Sequence, residues 1–343
     1  MGATRTLWIA VTVATMFVAP ASAEDVSFRG KTINLIFGGG EGGGYDTYAR
    51  FLAQHLGRHV PGNPRVLTRG APGAGTLAAA NYLYEVAAAD GTNIGTVGGG
   101  TATAELLKTP GIRFDPRKFI WIGSLTSDVS VGIAWHTAPV KTIADAFERQ
   151  LIVGGGGPTS GNVIFPVVMN QLLGTRFKII TGYKSSAEAM LAVERGELEG
   201  IMSWNYSSIR AQHYDLVRDK KINLLVQFAL KKHKDLPDVP LVTELARTDE
   251  QRDILDLIFS RQEMGRPFML PPKTPEPIAN ALRAAFAAAI KDPVLLADAE
   301  RQRLDINQPM TGEEVDALIA KLYRTPPDVV AKTIRITDMS NFK

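Results

Sequence analysis

The feature that most constrains this chain is a junction between a strand and a helix that is built almost entirely of glycine. Residues 33–37 form an apolar run rich in β-branched and aromatic residues, which predicts a buried strand. Six of the seven residues at 38–44 are glycine, and apolar residues then recur at helical spacing until Gly57, which suits the end of a helix. Such a junction presents backbone N–H groups at a helix N-terminus, where the helix dipole favours an anion.

The same kind of junction recurs along the chain. Glycine-rich loops between predicted strands and helices lie at 38–45, 70–76, 98–101, 154–161 and 182–186. Short connections between alternating strands and helices predict parallel sheets with helices on both faces. In such sheets the ligand lies beyond the carboxyl ends of the strands. Because three loops belong to a first series and two to a second, we expect two lobes that hold an anion in the cleft between them.

Length, charge and cysteine content narrow the class of protein. A chain of 343 residues exceeds what one hydrophobic core usually holds, so two domains are expected. The formal net charge of +3 is too small to indicate a nucleic-acid partner, and no basic run with interleaved aromatic residues supports one. Since the sequence has no cysteine, disulfides and thiolate chemistry are excluded.

The first residues have the pattern of an export signal. Arg5 precedes an apolar stretch at 7–19, and the small residues at 21–23 fit a signal-peptidase site. The apolar stretch is too short to span a membrane as a helix. We therefore expect a signal peptide at 1–23, a mature chain that begins near Glu24, and a secreted or periplasmic protein. A retained N-terminal anchor is the alternative.

Signals for catalysis are weak. The five histidines show no metal-ligand spacing, and the segment 157–161 places its serine one position late for a nucleophile elbow. The segment 38–43 satisfies the GxGxxG dinucleotide pattern, but a run this rich in glycine matches such a pattern almost inevitably. We expect no catalytic residue, no metal site and no cofactor, and an exported α/β enzyme is the less favoured alternative.

Four stretches carry a more specific combination of motifs. They are Gly-Gly-x-x-Asp-x-x-Ala-Arg at 42–50, Pro-Gly-Ala-Gly at 72–75, Asp-Gly-Thr at 90–92, and GYKSSAEAMLAVERGELEG at 182–200. Together they resemble the periplasmic solute-binding receptors of tripartite tricarboxylate transporters, also called Bug proteins, over essentially the whole mature chain. Two features depart from that family. The first loop lacks the usual proline, and Arg69-Gly70 stands where an asparagine is common.

The resemblance implies a two-lobed periplasmic-binding-protein fold of type II, the Venus flytrap, in which each lobe is a largely parallel sheet flanked by helices. Lobe I would comprise 24–124 plus 230–343, and lobe II 125–229. The implied function is a monomeric receptor, without cofactor or nucleic acid, that delivers a small organic carboxylate to the large and small subunits of a membrane transporter. A receptor for another solute, such as an amino acid or an aromatic acid, and a co-receptor for a sensor kinase stay as alternatives.

The predicted ligand-binding residues lie in or beside the glycine-rich loops of both lobes. They are Gly42, Gly43, Gly44, Tyr45, Asp46, Arg69, Pro72, Gly73, Ala74, Gly75 and Thr101 in the first lobe, and Gly157, Thr159, Ser160, Gly161, Tyr183, Ser185 and Ser186 in the second. Backbone N–H groups and hydroxyls would bind one carboxylate, and Arg69 is a candidate for a second. Two alternatives stay open: Asp46 could be a helix-start acid paired with Arg50, and the hydroxyl residues could be helix caps.

Overall fold

The computed structural model describes residues 26–158 and 160–338. The predicted signal peptide at 1–23 therefore lies outside the described residues. Within them the chain forms two sheets, each flanked by helices. No helix in this part of the chain is both long enough and apolar enough to cross a membrane.

The strands and helices alternate through most of the chain. The strands are β1 (Thr32–Phe37), β2 (Arg65–Gly70), β3 (Asn93–Thr96), β4 (Ile120–Ser124), β5 (Ser130–Trp135), β6 (Leu151–Gly155), β7 (Phe177–Thr181), β8 (Gly200–Asn205), β9 (Ile222–Phe228), β10 (Pro267–Leu270) and β11 (Met310–Thr311). The helices are α1 (Gly44–Leu56), α2 (Leu77–Glu85), α3 (Asp145–Glu148), α4 (Gly161–Val168), α5 (Ser186–Glu194), α6 (Tyr206–Gln212), α7 (Tyr214–Arg218), α8 (Asp249–Phe259), α9 (Glu276–Ala289), α10 (Pro293–Arg301), α11 (Gly312–Leu322) and α12 (Pro327–Thr337).

The first sheet has the strand order β11-β4-β10-β3-β1-β2. Strand β1 pairs in parallel with β2 and β3, while β10 pairs antiparallel with both β3 and β4. Strands β1 to β4 therefore point the same way, and β10 runs against them inside the sheet. The prolines at 267, 271, 272, 275 and 277 predict one long ordered connector between helix-forming segments. This prediction was wrong for 267–270, where Pro267 is the first residue of a strand and so removes few ladder hydrogen bonds.

The second sheet has the strand order β7-β6-β8-β5-β9. Strand β6 pairs in parallel with β7 and β8, whereas β5 is antiparallel to its two neighbours β8 and β9. Four of its five strands therefore share one direction. Both sheets are mixed, and the predicted largely parallel arrangement holds for the strands that carry the glycine-rich loops.

Each sheet is covered by apolar helix faces. In the first lobe Phe37 of β1 packs with Leu52 of α1 and Phe286 of α9. In the second lobe Phe165 of α4 packs with Phe259 of α8. Helices α8 and α12 thus contribute to the core of the second sheet although they follow residue 230. The lobe boundaries drawn from the sequence at 124 and 229 stay a prediction.

Candidate functional site

A cavity of about 400 Å³ lies between the two lobes. The first lobe contributes the loops that follow β1, β2 and β3, and the second contributes the loops that follow β6 and β7 together with the end of β8. These are the carboxyl ends of strands that share a direction, where ligands bind in open α/β sheets. The volume lies in the range that small ligands occupy.

The two lobes touch each other around this cavity. The backbone N–H of Gly40 donates a hydrogen bond of 3.0 Å to the carbonyl oxygen of Lys184 in the other lobe. A Cβ atom placed on Gly157 would overlap the backbone of Ala74 and Gly75 across the cleft. Glycine at 157 therefore permits a close approach that any side chain would block. The structure represents a closed arrangement of the lobes.

The structure brings together twelve of the predicted ligand-binding residues in the cavity wall. They are Gly43, Gly44, Tyr45, Gly73, Ala74, Gly75, Gly157, Ser160, Gly161, Tyr183, Ser185 and Ser186. Gly42, Pro72 and Thr101 lie outside the lining, and Thr159 lies outside the described residues. Whether the lining residues bind a ligand stays a prediction.

Two charged residues predicted for the site also lie outside the lining. Asp46 is buried, and its carboxylate accepts hydrogen bonds from the Gly42 N–H at 2.9 Å and from the guanidinium of Arg50. These bonds brace the first loop against the start of α1, which is the helix-start role that the sequence left open. Arg69 is exposed on β2, at the edge of the first sheet, so the geometry gives no support for its contact with a ligand.

Sequence reasoning missed several polar residues of the cavity. Arg261, Gln262 and Arg266 line it shortly before β10 begins, and Ser130 lines it at the beginning of β5. Both strands run antiparallel to their neighbours, so their first residues lie at the edge where the parallel strands end. A search restricted to loops that follow strands cannot find them. The available signal was an arginine directly before the apolar run at 267–270.

The charged residues in the cavity wall are all basic. They are Lys184, Arg261 and Arg266, and no acidic residue contributes to the lining in the described parts of the chain. The guanidinium of Arg266 is neutralised by Asp128, whose carboxylate lies 3.2 Å from Nη2, and it also donates to the Ser208 hydroxyl at 2.9 Å. The remaining buried charge therefore belongs to Arg261.

Arg261 holds a buried charge that no acidic side chain among residues 26–158 and 160–338 neutralises. Its side chain is only 5% exposed, and its Nη2 has no hydrogen-bond partner. The ring of Phe165 packs against the guanidinium, with 4.7 Å between the guanidinium carbon and the ring centroid. Burial lowers the pKa of Arg261 to about 10, so that the group is still protonated at neutral pH. The site therefore has a fixed positive charge that an anion could neutralise.

Strained backbone is concentrated in the same wall. Ala74, Thr76 and Ser203 line the cavity with positive φ angles of 47°, 78° and 79°. Non-glycine residues rarely adopt this conformation, and where they do it often marks a ligand site. The Thr76 hydroxyl also accepts a 3.0 Å hydrogen bond from the Gly98 N–H, which ties the second loop to the third. This bond within the first lobe helps to hold the two loops in shape.

Comparison with solved structures identifies the fold. The periplasmic binding protein BugD is similar with a TM-score of 0.69 and 20% identity, over 89% of this chain and 97% of that one. MatC from Rhodopseudomonas palustris, solved with bound malate, is similar with a TM-score of 0.68 and 18% identity, over 90% of this chain and 99% of that one. A second R. palustris protein, solved with adipate, is similar with a TM-score of 0.68 and 18% identity, over 89% of this chain and 97% of that one.

Sequence comparisons add nothing to this result. No protein-family model matches the chain, and no curated protein matches it. At identities of 20% and below, the solved structures establish architecture over nearly the full length of both chains. The predicted fold is confirmed: the chain has the two-lobed α/β fold of periplasmic binding proteins.

Proposed function

We propose that the protein is an exported receptor that binds a small organic carboxylate in the cavity between its lobes. The observation that carries the proposal is the charge of the cavity wall, which contains three basic residues and none of the described acidic ones. Focused positive charge with convergent N–H and hydroxyl donors is the environment that carboxylates prefer. The binding step needs no covalent chemistry, so we propose a binding protein and not an enzyme.

The structural neighbours support a carboxylate as the ligand class. Two of them were solved with malate and with adipate, both of which are carboxylates. The cavity of this chain lies between its two lobes. Because its described lining offers no carboxylate to pair with an ammonium group, we favour acids without an amine over amino acids.

The proposal also includes a cellular location and a transporter partner. Export through the signal peptide would bring a monomeric receptor to the periplasm, where the closed lobes would present the ligand to the large and small subunits of a tripartite tricarboxylate-type transporter. The fold and the resemblance read from the sequence support this step. Deletion of the genes for such transporter subunits should abolish uptake of the ligand and leave its binding to the receptor unchanged.

Thermal unfolding of the chain from Glu24 onward tests the binding proposal. The panel contains malate, succinate, adipate, citrate, benzoate, aspartate and NADP. A ligand at a hundredfold excess over its Kd stabilises the folded protein by about 2.7 kcal/mol, which gives a clear shift of the midpoint. We expect a shift with one class of carboxylate and none with NADP. A shift with NADP alone would contradict the receptor proposal and indicate a dinucleotide-binding protein.

A further inference from the structure

Two buried arginines line the cavity, and only one is neutralised by the protein. Arg266 is 1% exposed and forms an ion pair with Asp128, which is itself 4% exposed. Arg261 is 5% exposed and takes part in none of the ion pairs formed by the described residues, and its Nη2 lacks a hydrogen-bond partner. Arg266 therefore has a counter-ion within the protein, although its Nε also lacks a hydrogen-bond partner, whereas Arg261 has no counter-ion among the described residues.

The group that would pair with Arg261 has a specific chemical character. A buried cation without a partner destabilises the folded protein, so a residue kept only to pack against Phe165 would be apolar. The phenyl ring covers one side of the guanidinium, and the N–H groups in the guanidinium plane are the ones that form paired hydrogen bonds with a carboxylate. The group that completes this position is therefore an anion that enters with the ligand.

Two helix N-termini in the same cavity wall are also suited to an anionic group. Helix α1 begins at Gly44 and helix α4 begins at Gly161, and both first residues line the cavity. The N–H groups of a first helical turn have no partner within the helix and attract negative charge. Helix N-termini alone would not define a ligand. Together with the guanidinium of Arg261 they give the cavity two kinds of group that bind anions.

We infer that Arg261 binds a second anionic group of the ligand, so that the cavity selects dicarboxylates over acids with a single charge. This inference rests on the proposed function and assigns to Arg261 the role for which the sequence indicated Arg69 as a candidate. Arg261 is thus a specificity-determining residue of this chain. Its charge discriminates between ligands of the same size and shape.

Titration calorimetry with paired ligands tests the inference. The probes are succinate, glutarate, adipate and malate, each compared with its half-amide, which keeps the shape and removes one charge. A charge-assisted hydrogen bond contributes enough to make the diacid bind about 10- to 100-fold more tightly than its half-amide. In Arg261→Met we expect this preference to disappear or reverse. Arg69→Met, which removes an exposed arginine by the same substitution, should keep it.

The unfolding midpoint without ligand separates a binding role from a structural one. Because Arg261→Met removes an unpaired buried charge, its midpoint should equal or exceed that of the wild type. A clearly lower midpoint, or an unchanged preference for the diacid in the variant, would overturn the inference. Equal binding of diacid and half-amide by the wild type would also overturn it and leave the proposed function intact. Failure of every acid to bind would contradict the proposed function itself.

Discussion

At the scale of single residues, the ion pair of Asp128 and Arg266 joins the two lobes. Asp128 lies just before β5 of the second sheet, and Arg266 lies just before β10 of the first. The Asp128 carboxylate also accepts 2.6 Å hydrogen bonds from Ser207 and Asn205. The Arg266 guanidinium lies 4.8 Å from the ring of Tyr48. The pair is therefore part of a buried polar network at the closed interface.

Removal of Asp128 should destabilise the protein strongly. Asp128→Ala leaves Arg266 buried without its counter-ion, a change that typically costs about 3–5 kcal/mol. Urea unfolding followed by circular dichroism measures the difference. Asp249→Ala is the matched control, because it breaks an exposed pair with Arg252 and should cost at most about 1 kcal/mol. If both variants lose the same unfolding free energy, the buried pair stabilises the protein no more than the exposed pair does.

Asp298 should contribute to the loss of stability in acid. Hydrogen bonds from Arg301, Gln302 and His55 hold the pKa of Asp298 at about 2, below its ordinary value. A carboxyl group with a depressed folded pKa stabilises the protein above the unfolded pKa of about 4, and this contribution is lost as the pH falls towards 2. Asp298→Asn should therefore flatten the decline in unfolding free energy between these pH values.

Urea unfolding at a series of pH values measures that slope. Asp249→Asn serves as the control, since its carboxylate is exposed and should leave the slope close to that of the wild type. If Asp298→Asn retains the full wild-type slope, the hydrogen bonds around Asp298 do not determine the acid response.

At the scale of helices and strands, the sequence predicted the structure most accurately where a single local rule determines it. A threonine three residues before a glutamate predicts a capping box at Thr311 and Glu314, and this box forms at the start of α11. Ser185 caps α5 by accepting a hydrogen bond from the Glu188 N–H at 3.1 Å. The glycine-rich loops and their strands also lie where the pattern placed them. Strand β10 escaped prediction because four residues flanked by prolines carry no periodic signal, and its place in the sheet depends on partners distant in the chain.

The same limitation explains what was missed in the site. Arg261 and Arg266 reach the cavity only because β10 is inserted antiparallel between β3 and β4. Arg69 lies at the end of a parallel strand, where the loop rule predicted a ligand contact, yet β2 is the edge strand and the side chain is exposed. Strand order and direction are set by tertiary packing, which one sequence does not reveal.

The loop after β6 in the second lobe lies close to the loop after β2 in the first lobe. A side chain added at this contact should block closure of the lobes. Gly157→Ala would place a methyl group on the backbone of Ala74 and Gly75. Since overlap of packed atoms costs about 1–3 kcal/mol, ligand affinity should fall about tenfold. Calorimetry with the best acid of the thermal panel measures the loss, and the midpoint without ligand should stay near that of the wild type.

Gly39→Ala provides the control for that variant. A Cβ at Gly39 would lie 3.4 Å from the Cβ of Tyr45 in the same lobe, which is an ordinary contact. Its affinity should stay close to that of the wild type. If both alanine variants lose affinity equally, the loss reflects contact with the ligand and not the approach of the lobes.

At the scale of the whole molecule, the closed arrangement is held by polar contacts between the lobes. The Gln212 side chain donates to the Thr47 hydroxyl, and Arg210 of α6 pairs with Asp305 at 2.6 Å. A ligand that contacts both lobes would add to these bonds and shift the population towards closure. Small-angle scattering should therefore show a radius of gyration that falls when the acid binds. An unchanged radius would mean that binding and closure are not coupled.

A crystal structure of the protein with the acid selected by the thermal panel would show directly where the ligand binds. We predict one acid molecule in the cavity between the lobes, with one carboxylate at the N–H groups near Gly44 and Gly161 and the other within hydrogen-bond distance of the Arg261 guanidinium. An acid bound outside the cleft, or bound there with Arg261 turned away from it, would contradict the proposed binding mode.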